Sequence, residues 1–216
     1  MKTLVIDVGG TNVKVLATGK RTPIKIPSGP HMTPRRMVTE VSLATADWAY
    51  DRISIGFPGP VKNDHPLHEP WNLAKGWVGF NYARAFKKPV KLINDAAMQA
   101  LGSYDSGKML FLGLGTGLGS TLICDGMLIP TELAHLPYRD GQSYEQWVGN
   151  EGMHDLGKKR WRKHVLEIID LFVAALQVDY VVLGGGNARH MKDLPSYVRL
   201  GSNANAFKGG FRLWEP

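Results

Sequence analysis

Hydrophobic residues occur along this chain in two spacings, one typical of strands and the other typical of helices. Two β-branched runs at 3–7 and 13–17 flank Gly9-Gly10, which predicts a β-hairpin at the start of the fold. Thr33 and Pro34 predict the start of a helix, because threonine caps helices and proline is favoured in the first turn. The residues spaced to line one face of that helix are Met37, Val41, Ala44 and Trp48.

The rest of the first half predicts short elements separated by glycine and proline. Strands are predicted at 53–56 and 90–93, and short helices at 81–86 and 96–101. The polar stretch that follows the first of these strands runs to Gly79 and contains several prolines, so it is predicted to be a loop.

The second half repeats the opening order of strand, glycine-rich turn and strand. Strands at 109–114 and 120–124 flank the segment 115–117, and Asp125-Gly126 predicts a further hairpin into 127–130. This recurrence predicts two α/β lobes with facing glycine turns.

A long helix and one more strand are predicted near the end of the chain. The helix covers 156–176 and is basic at its start, and the strand covers 179–183 and ends in three glycines. The tail, residues 203–214, is predicted to form a final helix or turn.

Composition excludes several classes of protein. The 216 residues are 44% hydrophobic and 21% charged, with the apolar residues in blocks, so a mainly disordered chain is excluded. No apolar run approaches the ~20 residues that a membrane-spanning helix needs, and the first residues do not resemble a signal peptide. The single cysteine, Cys124, cannot form an internal disulfide, which favours a reducing cytoplasm.

The charge balance is basic, with 26 Lys and Arg against 19 Asp and Glu and a net charge of +7. Such a balance favours polyanionic partners such as nucleic acid, nucleotides or phosphate polymers. A basic surface that only maintains solubility is an equally good explanation.

The first candidate site is the turn that follows the first predicted strand. Asp7, Gly9, Gly10 and Thr11 suit a phosphate and its metal, because glycines let the backbone approach phosphate oxygens and a carboxylate holds hydrated Mg²⁺. Lys14 follows closely. The alternative is a plain hairpin turn with a capping aspartate.

The second candidate site is the run from Gly113 to Ser120, in which Gly115, Thr116 and Gly117 form the predicted turn. It is not a P-loop, since no Lys-Ser or Lys-Thr pair closes it, and it lacks the third glycine and the helix of a dinucleotide fingerprint. The tip of such a hairpin can surround a phosphate, although an ordinary turn is the alternative.

Two further groups of polar residues suggest catalysis and sugar binding. Asn94-Asp95 ends an apolar strand, where an aspartate can accept the proton of an attacking hydroxyl or can simply cap the next helix. Carboxylate, imidazole and amide side chains suit the alternating donors and acceptors of a polyol. The residues of this second group are Asn72, Glu132, His135 and Glu145, of which Glu145 equally fits a solvated helix surface.

Taken in order, these motifs resemble those of the ROK family of sugar kinases in the actin-like ATPase superfamily, and within it the polyphosphate glucokinases. Asp7–Thr11 is similar to the first phosphate motif, Gly115–Gly117 to the second, and Asn94-Asp95 to the sugar-binding asparagine and catalytic aspartate. The other matching motifs are Gly56-Phe-Pro-Gly59, Asn72-Leu73 with Trp77, Glu132-Leu-Ala-His135 and Gly184-Gly185-Gly186.

This resemblance implies an α/β fold of two ribonuclease-H-like lobes with a cleft between them, divided as residues 1–94 and 95–216, with the tail returning to the first lobe. It implies a kinase in which Asp95 is the general base and Asp7 holds Mg²⁺ through water. The donor would contact both phosphate motifs and the turn of Gly184, Gly185 and Gly186. The sugar would contact Gly59, Asn72, Asn94, Asp95, Glu132, His135 and Glu145.

Departures from the family pattern refine this expectation. Most ROK kinases carry a cysteine cluster for a structural zinc, whereas the only cysteine of this chain is Cys124. The polyphosphate glucokinases also lack that cluster, so its absence supports the narrower resemblance and no structural zinc is expected. The segment between Pro137 and Ser143 is short, and 203–214 replaces the family's usual small-residue helix.

The expected partners are a hexose, glucose by family default, and polyphosphate or ATP as donor, with a homodimer left open. Neither a membrane nor a specific nucleic acid is expected. A non-catalytic ROK sugar sensor or regulator is the competing prediction. A group of basic residues interleaved with Trp161 could guide a polyphosphate chain, and a solvated helix face is the alternative. These residues are Lys158, Lys159, Arg160, Arg162, Lys163, Arg189 and Lys192.

Overall fold

The structure is a computed structural model that describes residues 1–202 and 204–215 and divides into two compact units. The first unit contains Met1–Met98 and the C-terminal segment from Ala206, and the second contains Gln99–Asn205. The boundary predicted after residue 94 falls inside the first unit, close to its end at Met98. In the predicted tail, Asn203 lies outside the described residues.

Strands dominate the chain up to residue 103 and short helices connect them. In chain order the elements are β1 (Thr3–Val8), β2 (Asn12–Ala17), β3 (Ile24–Pro27), α1 (Pro34–Ala44), β4 (Arg52–Phe57), β5 (Val61–Lys62), β6 (His65–Pro66), α2 (Tyr82–Phe86), β7 (Val90–Asn94) and α3 (Asp95–Ser103).

The remaining elements follow the same alternation and include two short 3-10 helices, Leu133–His135 and Ala188–His190. In chain order they are β8 (Lys108–Leu114), β9 (Leu118–Cys124), β10 (Met127–Thr131), β11 (Pro137–Arg139), β12 (Gln142–Ser143), α4 (Tyr144–Val148), α5 (Asn150–Leu176), β13 (Tyr180–Gly184), β14 (Val198–Leu200) and α6 (Asn205–Arg212).

Each unit is built on a five-stranded sheet, and the two sheets have the same topology. The strand order is β3-β2-β1-β4-β7 in the first and β10-β9-β8-β13-β14 in the second. In both, a hairpin places two antiparallel strands on one side of the first strand, and two parallel strands follow on the other side. The predicted α/β class with a repeated strand–turn–strand opening is therefore confirmed.

Parallel pairing brings the chemically interesting turns of each unit to one edge of its sheet. In the first unit Asp7 pairs with Gly56, and Phe57 pairs with Asn94, so the carboxyl ends of β1, β4 and β7 are neighbours. In the second unit Gly113 of β8 pairs with Gly184 of β13. Ligand sites of open α/β sheets lie at this edge.

Most predicted elements are present with bounds shifted by a few residues. Thr33 caps α1 by accepting the N–H of Arg36, and the Asp125-Gly126 hairpin is present with positive φ at both residues. The predicted helical face was wrong at Trp48, because α1 ends at Ala44 and Trp48 packs against the core from outside the helix. The short elements β3, β5, β6, β11, β12, α4 and β14 were not predicted.

The C-terminal segment packs on the first sheet through a tryptophan. The Trp214 ring is in contact with the Arg52 guanidinium and the Lys91 ammonium, which lie 5.0 and 4.8 Å from its centroid. Its indole N–H donates to the buried Ser54 hydroxyl at 2.9 Å, and that hydroxyl donates to the Gly210 carbonyl at 2.5 Å. Cation–π contacts and a buried hydrogen bond together stabilise this docking.

Trp214→Ala should lower the free energy of unfolding by about 2 kcal/mol, because it removes the ring and leaves the Ser54 hydroxyl without one of its partners. Trp71→Ala is the matched control, since the Trp71 side chain is 100% exposed and should be replaceable without loss. Urea unfolding of both variants measures the difference. Equal stability of the two variants would contradict the docking.

Among the described residues, no helix combines the length and the apolar character that crossing a membrane requires.

Candidate functional site

The first glycine turn joins β1 to β2 and carries an ion pair. Asp7 and Lys14 face each other across the two strands, and the Lys14 ammonium lies 3.2 Å from the Asp7 carboxylate. The Asp7 side chain is 13% exposed, so this carboxylate is sheltered and already paired with a cation. The turn is closed by a hydrogen bond from the Gly9 amide to the Asn12 carbonyl.

Asn72, a predicted sugar ligand, lies against this turn. A Cβ atom on Gly10 would lie 3.1 Å from the Cβ of Asn72, so the two residues are in direct contact. The loop that carries Asn72 is held by Glu69, whose carboxylate accepts three successive backbone N–H groups between 3.0 and 3.3 Å. The donors are Gly76, Trp77 and Val78.

Glu69 was not among the predicted site residues. A lone glutamate in a proline-rich loop gives no local signal, because its partners are backbone amides that only the folded loop brings together.

Asn94 connects the loop at Gly59 to the end of β7. Its side-chain N–H donates to the Gly59 carbonyl at 3.1 Å, and its side-chain oxygen accepts the N–H of Ala97 at 3.0 Å. Both polar ends of this predicted sugar ligand are therefore engaged within the protein, where they cap α3 and position the Gly59 loop.

Asp95 is the first residue of α3, at the same sheet edge as Asp7. Its carboxylate accepts the N–H of Ala96 at 2.8 Å, which orients the side chain. Beneath it, Gly56 leaves the space that the Met98 side chain fills, since a Cβ on Gly56 would overlap the Met98 methyl group. The close packing of β4 on α3 thus fixes the position of Asp95, the predicted catalytic residue, at the start of α3.

In the second unit, the turn of Gly115, Thr116 and Gly117 lies against α4. The Glu145 carboxylate accepts the N–H of Leu118 at 3.1 Å, and it fills the space where a Cβ on Gly117 would lie. Glu145 was predicted as a sugar ligand, and in the structure its carboxylate contacts this second phosphate turn.

The third glycine turn packs directly on the second. Gly185 has a φ of +79°, and a Cβ there would overlap the backbone of Leu114. Gly184 is paired with Gly113 across the parallel strands, so the two turns leave neighbouring strand ends. Gly186 faces open space. The structure therefore places the second and third glycine turns, both predicted to contact the donor, beside each other within one unit.

Glu132 and His135 form an exposed pair at the end of β10. The His135 Nε2 lies 3.7 Å from the Glu132 carboxylate, and the two side chains are 70% and 57% exposed. The following backbone is anchored by the N–H of Leu133, which donates to the Ser120 hydroxyl at 3.1 Å.

The basic surface of α5 is separated from its aromatic residue. Trp161 is fully buried and its indole N–H donates to the Val148 carbonyl at 2.9 Å, so it belongs to the core and cannot interleave with the basic residues. Partial desolvation and the cations Lys158, Arg189 and Arg162 lower the pKa of His190. The start of α5 and the 3-10 helix at 188–190 therefore share one positive surface.

In the segment between Pro137 and Ser143, which was predicted to be short, Tyr138 packs against rings from α4 and α5. Tyr138 stacks on Tyr144 with centroids 5.1 Å apart, and the rings of Trp147 and His164 lie 4.6 Å apart. Among the described residues, no group of three or more His, Cys, Asp or Glu side chains is placed to hold a metal ion.

Comparison with known proteins supports the resemblance drawn from the motifs. No protein-family model matches the chain. A polyphosphate glucokinase of Mycobacterium tuberculosis (strain ATCC 25177 / H37Ra) is 27% identical in an alignment of 205 positions, and the match covers 85% of this chain and 77% of the relative.

Solved structures have the same fold. A polyphosphate/ATP-glucomannokinase from Arthrobacter sp. strain KM superposes with a TM-score of 0.80 at 22% identity, covering 97% of this chain and 96% of that one. A ROK family glucokinase from Streptomyces griseus gives 0.74 at 15% identity, covering 99% of each chain. A ROK family transcriptional regulator gives 0.73 at 16% identity, covering 97% of this chain and 76% of that one. The predicted resemblance to the ROK sugar kinases and the predicted fold are confirmed.

Proposed function

We propose that this chain is a sugar kinase that transfers a phosphoryl group from polyphosphate or ATP to the 6-hydroxyl of glucose or a related hexose. The observation that carries this proposal is the convergence of Asp7, Asn72 and Asp95 at one edge of the first sheet. A phosphate turn, a sugar amide and a proton acceptor are the parts that such a transfer requires.

Asp95 acts as general base on the acceptor hydroxyl. The sugar oxygen attacks the terminal phosphorus, the bond from that phosphorus to the bridging oxygen breaks, and the hydroxyl proton passes to the Asp95 carboxylate. The products are the hexose phosphate and a donor shortened by one phosphoryl group. The hydrogen bond from Ala96 keeps the carboxylate oriented for this step.

The glycine turns stabilise the charge of the transferring group. Backbone N–H groups at Gly10 and Thr116 would donate to phosphate oxygens, and Lys14 would supply positive charge beside the first turn. Little covalent chemistry is left to the protein, so alignment supplies most of the rate gain.

The residues present fit a magnesium ion held mainly by water and donor phosphates. Asp7 is the single carboxylate of the first turn, and Mg²⁺ binds with one or two carboxylates when phosphates complete its shell. Asp7 would hold the ion, and the bound ion would neutralise phosphate charge. Lys14, which pairs with Asp7, would hold that carboxylate in place.

Sugar contacts would come from the polar side chains predicted above. Asn72, Glu132 and His135 offer exposed polar side chains, and Asn94 contributes by holding the Gly59 loop. Glu145 would act on the phosphoryl donor through the second glycine turn, since its carboxylate accepts the N–H of Leu118.

A coupled assay that crosses a panel of hexoses with ATP and polyphosphate tests the proposal. Hexose-dependent donor consumption, strongest with glucose, is the expected result. The competing function is a sugar-binding regulator, which the shared fold of the ROK regulator favours. Hexose binding without donor consumption would select that alternative.

If polyphosphate is the donor, its use should fall steeply with salt. Because a long polyanion releases counterions on binding, kcat/KM for polyphosphate should drop roughly tenfold to a hundredfold between ~50 and ~200 mM salt, and that for ATP should drop less. The double variant Lys158→Ala, Arg162→Ala should flatten this slope, since it removes two cations of the shared surface. The charge-matched control is Lys87→Ala, Lys88→Ala in the first unit. Equal salt slopes for ATP and polyphosphate would exclude polyphosphate guidance by α5.

A further inference from the structure

In both the first and the second glycine turn, one residue from outside the turn holds two of its carbonyl groups. In the first unit this residue is Ser28, which follows β3. Its hydroxyl donates to the Gly9 carbonyl at 2.6 Å, and its backbone N–H donates to the Thr11 carbonyl at 2.9 Å. Gly29, the next residue, is buried with a φ of +111°, which turns the chain away after these two contacts.

Asn187 has the same relation to the second turn. Its backbone N–H donates to the Leu114 carbonyl at 2.9 Å, and its side-chain nitrogen donates to the Gly115 carbonyl at 3.2 Å. The side chain is polar yet only 7% exposed, so these bonds are shielded from water.

Asn150 completes the arrangement around the second turn. Its side-chain oxygen accepts the remaining N–H of the Asn187 amide at 2.6 Å, and its own backbone N–H donates to the Thr116 carbonyl at 3.1 Å. Both donors of the Asn187 amide are thereby used, and three successive carbonyl groups of the turn are held.

Holding these carbonyl groups fixes the direction of the amides that follow them. In a trans peptide the C=O of one residue and the N–H of the next point to opposite sides. The held carbonyls at Gly9, Gly115 and Thr116 therefore turn the N–H groups of Gly10, Thr116 and Gly117 away from the tethering residues. Across the described parts of the chain, these three N–H groups have no hydrogen-bond partner.

We infer that Ser28 and Asn187 are positioning residues for the phosphoryl donor, each presenting the free amides of one glycine turn to phosphate oxygens. The inference rests on the proposed function and adds residues that no motif of the sequence indicated. A carbonyl that rotated into the site would repel phosphate, so the tether raises donor affinity by excluding that orientation.

The test compares tether variants with matched controls. Ser28→Ala removes the hydroxyl donor, and Ser28→Thr retains it. Asn187→Asp replaces the amide donor with a carboxylate beside the Gly115 carbonyl. The controls are Ser103→Ala and Asn205→Ala, which break a hydrogen-bonded pair of 2.8 Å elsewhere in the second unit.

Donor KM and hexose KM are measured at steady state, and sodium tripolyphosphate binding is measured by calorimetry. We expect Ser28→Ala and Asn187→Asp each to raise donor KM and the tripolyphosphate Kd about tenfold, with hexose KM unchanged. Ser28→Thr and both controls should match the wild type. A purely structural role would instead lower thermal stability and change both KM values together.

The outcomes separate this inference from the function on which it rests. An active wild type whose Ser28→Ala and Asn187→Asp variants keep normal donor KM and tripolyphosphate Kd overturns the inference alone. An inactive wild type that binds hexose overturns the kinase proposal, and the tripolyphosphate Kd values then decide the inference by themselves. The two variants lie in different units, so a folding failure of one leaves the other decisive.

Discussion

Replacing Asp95 with asparagine should lower kcat by about 10²–10⁴-fold, the range expected when a general base is lost. The asparagine oxygen can still accept the Ala96 N–H, so the start of α3 should be preserved. Hexose KM should change little, because the amide retains hydrogen-bonding capacity toward a hydroxyl. Steady-state kinetics with saturating donor measures both parameters.

Asp51→Asn is the matched control for this variant. The Asp51 carboxylate also accepts a backbone N–H, that of Lys2 at 2.7 Å, and lies in the same unit but on an exposed turn. The same chemical change there should leave kcat unchanged. Wild-type kcat in Asp95→Asn would remove Asp95 from the catalytic role.

Gly185→Ala should strongly destabilise the second unit. The residue has a φ of +79°, and the new Cβ would lie within 2.7 Å of the Leu114 carbonyl carbon and 2.8 Å of its nitrogen. Backbone atoms cannot move aside cheaply, so the free energy of unfolding should fall by roughly 2 kcal/mol or more, and the surviving folded protein should have a raised donor KM.

Gly186→Ala provides the comparison, because a Cβ there meets open space and its φ is not in the left-handed region. Urea unfolding should give this variant nearly wild-type stability. If both alanine variants unfold at the same urea concentration, the close packing of the third turn on the second is not what constrains Gly185.

Sequence patterns predicted the elements whose residues carry a local signal. The Thr33-Pro34 start of α1 and the Asp125-Gly126 hairpin follow from capping and turn chemistry, which act within a few residues. The end of α1 was predicted too late, since helical spacing continues to Trp48 although Thr45 ends the helix by bonding back to the Val41 carbonyl.

The candidate site was predicted as motifs, and the contacts between motifs required the structure. Glu69 and Asn187 act on backbone groups seven or more positions away, and Asn187 reaches a carbonyl 72 residues earlier in the chain. Spacing rules cannot reveal such partners. The same limit explains why the contact of Glu145 was not predicted. A carboxylate is a suitable sugar ligand, but the position of Glu145 against Gly117 depends on how α4 packs on the second turn. Trp161 was assigned to a surface from its basic neighbours, but its place on the helix turns it into the core.

Phosphorus NMR of the purified chain with glucose, magnesium and either polyphosphate or ATP tests the central claim most directly. A growing phosphomonoester signal split by two sugar protons, as phosphate on the 6-oxygen requires, is expected in the wild type, and in Asp95→Asn it should grow more slowly by a factor of about 10² or more. Glucose binding with no phosphomonoester, or release of inorganic phosphate alone, would contradict it.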